Sequence, residues 1–264
     1  MDSASAQTHR TALITGASSG IGAEFAHQLA ARGYALALVA RREERLRKLA
    51  SELEKGFSIP AEVIVADLSQ EADLERVASR IAELPGLEIL VNNAGFGLSG
   101  SFARIDYATH RRAVQVHVLA SVRLTHAALP GMLARRSGGI INVASIAGLF
   151  PVRNVTYGAT KAYLVHFSRA LHNDYHGTGL RFQALCPGYV HTEFHTSRTT
   201  MRLPGFMWST ADRVVAASLE ALERGQVICI PGRIYRLIAT LGTSSLTHPL
   251  VIFAVRTFLR RRSG

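Results

Sequence analysis

Short aliphatic runs alternate with longer segments of helical period along nearly the whole chain, and this alternation limits what the chain can fold into more than any other feature. The runs are TALIT at 11–15, ALALVA at 35–40, EVIVA at 62–66, EILVN at 88–92, GIINVA at 139–144, RFQALC at 181–186 and QVICI at 226–230. Each is apolar nearly throughout rather than at every second position, the pattern of a strand covered on both faces. Between them, AEFAHQLAARG ends at Gly33 as a helix stop, and EERLRKLASELEKG repeats leucine at 46, 49 and 53. The arrangement predicts an α/β fold, a single domain with a doubly wound parallel sheet of about seven strands and helices on both faces. With 264 residues and 48% hydrophobic content the chain has material for such a core, and no Pro/Gly/Ser-rich linker divides it. Ligands of such sheets bind at the carboxyl ends of the strands, so the residues just past each strand carry most of the functional information.

The first run leads directly into Thr15-Gly16-Ala17-Ser18-Ser19-Gly20-Ile21-Gly22 and then a helix. Glycines there let the backbone turn tightly and approach a diphosphate, while the helix offers free N–H groups and a positive dipole end. The spacing is G-x-x-x-G-x-G rather than G-x-G-x-x-G, so strand–loop–helix context carries more weight than the letters. It predicts a Rossmann-type dinucleotide site lined by Gly16, Ser18, Ser19, Gly20, Ile21 and Gly22. At the end of the second strand, where an acidic residue would take a ribose 2′-hydroxyl, stand Arg41 and Arg42. Two planar guanidiniums in that place predict NADP(H), through its 2′-phosphate; the alternative is a solvated helix start.

Charge and cysteine usage narrow the setting. A net charge of +11 favours anionic partners, but Arg233, Arg236, Arg256, Arg260, Arg261 and Arg262 concentrate much of it near the end of the chain, beside the apolar run LVIFAV. No basic strand interleaved with aromatics resembles a nucleic-acid surface, so no nucleic-acid partner is expected. Cys186 and Cys229 sit in apolar runs without metal-ligand spacing, which fits a reducing compartment. Residues 1–9 read as a disordered leader without a signal peptide's apolar core, and no run reaches the length of a membrane-spanning helix. The expected location is the cytoplasm. The extension 233–264 either buries its apolar part or touches a membrane periphery.

Tyr157-Gly158-Ala159-Thr160-Lys161 places a phenol and an ammonium four residues apart on one face of a helix, about 6 Å from each other. A neighbouring cation favours the phenolate; lowering a phenol by about three pKa units takes about 4 kcal/mol. Upstream, a strand ends at Ser145, whose hydroxyl can hydrogen-bond a carbonyl oxygen. Together with Asn92-Asn93-Ala94-Gly95, these ordered motifs resemble the short-chain dehydrogenase/reductase family over residues 10–232. The resemblance implies that Tyr157 is the general acid/base, that Ser145 orients the carbonyl, and that Lys161 binds the nicotinamide ribose while tuning Tyr157. It further implies adenine contacts from Asp67 and Leu68, ribose contacts from Asn93, Ala94 and Gly95, and closure over the nicotinamide and diphosphate by Pro187, Gly188, Val190 and Thr192.

The family's fourth catalytic residue is an asparagine whose main-chain carbonyl holds a relay water. Counted forward from Gly95 or back from Ser145, its position falls on His117. A histidine keeps that carbonyl and brings an imidazole that preserves the relay, adds a pH-sensitive step, or is a hydrogen-bonded structural group in a site no longer catalytic. Residues 191–207 occupy the place of the family's variable lid, where Phe194, Leu203, Phe206 and Met207 suggest an apolar or amphipathic substrate. The expected activity is NADP(H)-dependent exchange of a hydride with a ketone or secondary alcohol. The alternative is a non-catalytic dinucleotide-binding or membrane-recruited protein that kept the fold. By analogy, helices around 105–135 and 156–176 pair between subunits, giving a homodimer or homotetramer.

Overall fold

The structure, a computed structural model, describes residues 10–84, 86–98, 100–150, 154–193 and 204–243. The leader, most of the lid and the chain beyond 243 lie outside the described residues, and so do Phe194 and Leu203. The elements run β1 (Thr11–Thr15), α1 (Gly20–Ala30), β2 (Ala35–Ala40), α2 (Glu43–Phe57), β3 (Ala61–Val65), α3 (Glu71–Glu83) and β4 (Leu87–Asn92). They continue with α4 (Tyr107–Val114), a π turn (Gln115–Leu119), α5 (Ala120–Arg135), β5 (Gly138–Val143), α6 (Val155–Asp174), β6 (Leu180–Leu185) and β7 (Tyr189–Val190). The last are β8 (Trp208–Ser209), α7 (Ala211–Glu223), β9 (Ile228–Cys229) and α8 (Arg233–Thr243).

Seven strands form one parallel sheet in the order β3-β2-β1-β4-β5-β6-β9. Successive residues of a strand point to opposite faces, and both faces are covered. Along β2, Leu36, Leu38 and Ala40 join one core with Phe25, Leu29, Leu46 and Leu53, whereas Ala37 and Val39 join the other with Val77 and Ile81. Fully burying a side chain such as Phe25 or Leu53 contributes about 1.5–3 kcal/mol, which is why these strands have no polar face. The expected seven strands are present with their ends shifted by a residue or two; β9, an edge strand, pairs only through Ile228 and Cys229.

The chain leaves β1 in one direction across the sheet and reaches β4 in the other, so a crevice opens at their carboxyl ends. A second, two-stranded pair joins β7 to β8 and ties together the two roots of the lid; His191 N–H donates to Ser209 O at 2.9 Å. Among the described residues, no helix is long and apolar enough to cross a membrane.

Candidate active site

The crevice is built on a polar clasp between β1 and β4. Thr15 Oγ1 donates to Val91 O at 3.2 Å and accepts the N–H groups of Asn93 and Ala94 at 2.9 and 3.0 Å. Asn93 Nδ2 donates to Thr15 O at 2.8 Å and Gly16 O at 3.2 Å. Gly16 has φ +67°, a conformation that side-chain-bearing residues rarely adopt, and this turns the chain toward α1. A Cβ on Gly22 would lie 2.3 Å from Gly16 O and 2.5 Å from Asn93 Nδ2, so only glycine lets helix and loop approach this closely. Ser19, at the N-cap of α1, makes no side-chain capping bond, which leaves the helix's N-terminal amides for a ligand.

Two cavities meet along Gly16, Ser19, Gly95 and Phe96. One reaches Gly20, Ile21, Asn93, Ser145, Tyr157, Lys161, Pro187, Gly188, Val190 and Thr192. The other reaches Ser18, Arg41, Arg42, Asp67, Leu68 and Ala94. Every residue expected to touch the dinucleotide therefore lies on one trough except Gly22, which is buried beneath it. Uncapped amides in the middle, guanidiniums and hydroxyls at one end, and a phenol and ammonium at the other form a donor set that fits a phosphorylated dinucleotide.

At the arginine end, Arg42 Nε and Nη2 donate to Ser18 Oγ at 3.1 and 3.0 Å, and Nη2 also donates to Ser19 Oγ at 2.6 Å. Burial raises the Asp67 pKa, but bonds from Ser69 N–H and Oγ, at 3.0 and 2.8 Å, and the charges of Arg112 and Arg41 outweigh it and hold the carboxyl below its usual range. Arg112 escaped the sequence reading. It lines this cavity, donates to Asp67 Oδ2 at 3.2 Å and lies 5.8 Å from the Phe96 ring centroid. Phe96 and Glu193, also on the trough, were missed too. Nothing beside any of the three in sequence marks it.

At the other end, Ser145 follows β5 and its Oγ accepts the Ala147 N–H at 3.1 Å. The turn of α6 brings Lys161 Nζ to 5.7 Å from the Tyr157 ring centroid, and Nζ donates to Val143 O at 2.7 Å. The protein's own groups do not make Tyr157 a phenolate. Burial pushes its pKa up to about 12 against the opposing pull of a hydrogen bond with Ser145, so the group stands ready as a proton donor. The same burial brings Lys161 down to about 8.

His117 sits in the π turn, 1% exposed. Phe96 N–H donates to its Nε2 at 3.0 Å, which leaves that nitrogen only the acceptor role and assigns the ring hydrogen to Nδ1. Nδ1 donates to Thr160 Oγ1 at 2.9 Å, and Thr160 Oγ1 donates to the Tyr157 carbonyl at 2.9 Å. Burial, then the charge of Lys161, hold the imidazole well below its ordinary pKa, so the ring is a neutral brace between the loop after β4 and the helix that carries Tyr157.

A model of the short chain dehydrogenase family matches residues 10–203. Among curated proteins, the chain is similar to the very-long-chain 3-oxoacyl-CoA reductase of Anas platyrhynchos, with 36% identity over 216 residues that cover 79% of this chain and 67% of that protein. The chain spans about two thirds or less, down to 60%, of the length of the first such reductases it matches. A solved short-chain dehydrogenase from Sphingobium yanoikuyae in complex with NADPH superposes with a TM-score of 0.81 at 35% identity, covering 88% of this chain and 92% of that one. The bulky-bulky ketone specific alcohol dehydrogenase from Comamonas testosteroni gives a TM-score of 0.78 at 35% identity, covering 85% and 87%.

Proposed function

The chain belongs to the short-chain dehydrogenase family, and from that premise we propose that it is an NADP(H)-dependent oxidoreductase interconverting a ketone and a secondary alcohol, with Tyr157 as general acid/base. One observation carries the reading: Ser145, Tyr157 and Lys161 line a cavity that continues past Gly16 and Gly95 to Arg41 and Arg42. The bound dinucleotide supplies or accepts the hydride. Arg41, Arg42 and Ser18 hold the 2′-phosphate, Asp67 and Leu68 the adenine, and Asn93, Ala94 and Gly95 the adenine ribose. Pro187, Gly188, Val190 and Thr192 close over the nicotinamide side.

In the reductive direction, Ser145 Oγ hydrogen-bonds the substrate carbonyl oxygen and holds it beside Tyr157. Tyr157, protonated because burial sets its pKa at about 12, donates to that oxygen as negative charge develops there. Lys161 then favours the phenolate, and would position the nicotinamide by binding its ribose hydroxyls. By the family resemblance the His117 carbonyl, which accepts Ser121 Oγ at 2.9 Å, would hold the water that returns a proton from solvent. The substrate is apolar or amphipathic. Phe206 is exposed and Met207 half-buried at the root of the lid, and the acyl-CoA and bulky-ketone chemistry of the relatives agrees with such a molecule.

The alternative of a non-catalytic dinucleotide-binding protein drew on His117; a ring that ties Phe96 to Thr160 fits either reading, and Ser145, Tyr157 and Lys161 together on one cavity favour the catalytic one. The test is Tyr157→Phe, assayed with NADPH against bulky ketones, aldehydes and 3-oxoacyl thioesters. kcat/KM is expected to fall by about 10²- to 10⁴-fold while NADPH affinity stays within about twofold. Retained turnover removes Tyr157 as the acid.

A further inference from the structure

Glu193 follows Thr192 on the nicotinamide side of the trough, yet its carboxylate reaches the arginine end. Oε2 accepts from Arg42 Nη1 at 2.9 Å, and Oε1 accepts from Arg45 Nη1 at 2.6 Å. One carboxylate thus takes one oxygen to each of two guanidiniums 151 and 148 residues away. The remaining donors of Arg42 are turned to Ser18 and Ser19. Two guanidiniums thus close on one carboxylate, and one of them, Arg42, is held in place by two hydroxyls beside the trough. Arg41, by contrast, is held only loosely, 3.9 Å from Asp67.

We propose that Glu193 is a cofactor-selectivity residue that, anchored by Arg45, occupies the Arg42 guanidinium on which the 2′-phosphate would sit, and must yield Arg42 when a 2′-phosphorylated dinucleotide binds. The inference rests on the NADP(H) reading of the trough. A phosphomonoester brings about −1.5 to −2 charge at neutral pH, and it cannot share the Arg42 Nη1 direction with a carboxylate without strong like-charge repulsion. A dinucleotide lacking the 2′-phosphate leaves the Glu193 contacts in place. Glu193 therefore weakens binding of the phosphorylated cofactor selectively. The hydrogen bonds from Arg42 and Arg45 also hold its carboxyl below the usual range, so it stays anionic across the neutral region.

The experiment titrates NADPH, NADH and 2′,5′-ADP into the wild type and Glu193→Gln by calorimetry at fixed ionic strength. Glu52→Gln serves as a control that makes the same charge change on the outer face of α2, where Glu52 meets Lys48. Removing the carboxylate from two solvent-exposed pairs is expected to tighten NADPH and 2′,5′-ADP by about three- to tenfold, while NADH and the control stay within about twofold. NADPH affinity that is unchanged or weaker in Glu193→Gln overturns the inference, a loss meaning that Glu193 clasps the bound cofactor instead of competing with it. Equal tightening in Glu52→Gln also overturns it, since net charge alone then accounts for the effect. A wild type with no preference for NADPH over NADH removes the cofactor reading, and the inference with it; a wild type that prefers NADPH, with Glu193→Gln unchanged, removes the inference alone.

Discussion

At His117, where the family resemblance places an asparagine, the ring's hydrogen-bond partners decide what it can contribute. Nε2 is committed as an acceptor from Phe96 N–H, so a protonated imidazole would set two N–H groups against each other in a buried site. The folded pKa is depressed well below 6.5, whereas an unfolded chain takes up the proton near 6.5. The stabilising contribution of the neutral ring is therefore complete above pH 6.5 and is lost as pH falls below it, with a slope approaching about 1.4 kcal/mol per pH unit. His117→Asn should remove that slope. Urea unfolding from pH 7.5 to 5 is expected to show the variant gaining on the parent toward acid, and parallel curves would refute the assignment. Rate profiles of the two proteins should share one shape through pH 6.5, because the folded ring titrates below that value; a limb near pH 6.5 found in the parent alone would instead make the imidazole a pH-sensitive step.

Among the elements, the junction of β1 with α1 has the least room. A Cβ at position 22 meets main-chain Gly16 O and the Asn93 side-chain amide, which is itself held by its bonds to Thr15 O and Gly16 O. Gly22→Ala is expected to cost about 1–3 kcal/mol of stability and to weaken NADPH binding at least about tenfold, read by thermal unfolding and by titration. Unchanged values in both would show that the loop has slack. This junction was legible in the sequence, as were the seven strands, because a strand buried on both faces has to be apolar throughout and a phosphate loop needs glycine at fixed places. The π turn was not. QVHVL has ordinary helical letters, and what sets it apart is the bond its histidine takes from Phe96 N–H, 21 residues away, which is tertiary. Arg112 and Glu193 were illegible for the same reason: each reaches its partner across a fold separation of 45 or more residues, and exposed charges leave no periodic mark.

On the scale of the whole molecule, Leu119, Val155 and Tyr163 are large apolar side chains left exposed on the helices that the family resemblance assigns to subunit pairing. We propose that a second copy of this chain covers them. Sedimentation velocity at micromolar concentration should give a dimer or tetramer, and Tyr163→Asp should shift it toward the monomer; a wild-type monomer would reject the pairing. The clasp of Thr15 with Val91, Asn93 and Ala94 joins positions separated by 76 to 79 residues. Closing a loop of that length costs entropy before any contact repays it, and sheets built from such distant pairs form slowly. The trough floor does not exist until that closure is made. Competence to bind a dinucleotide therefore depends on that closure, and a chain in which β1 and β4 have not met has no trough in which its cofactor can dock.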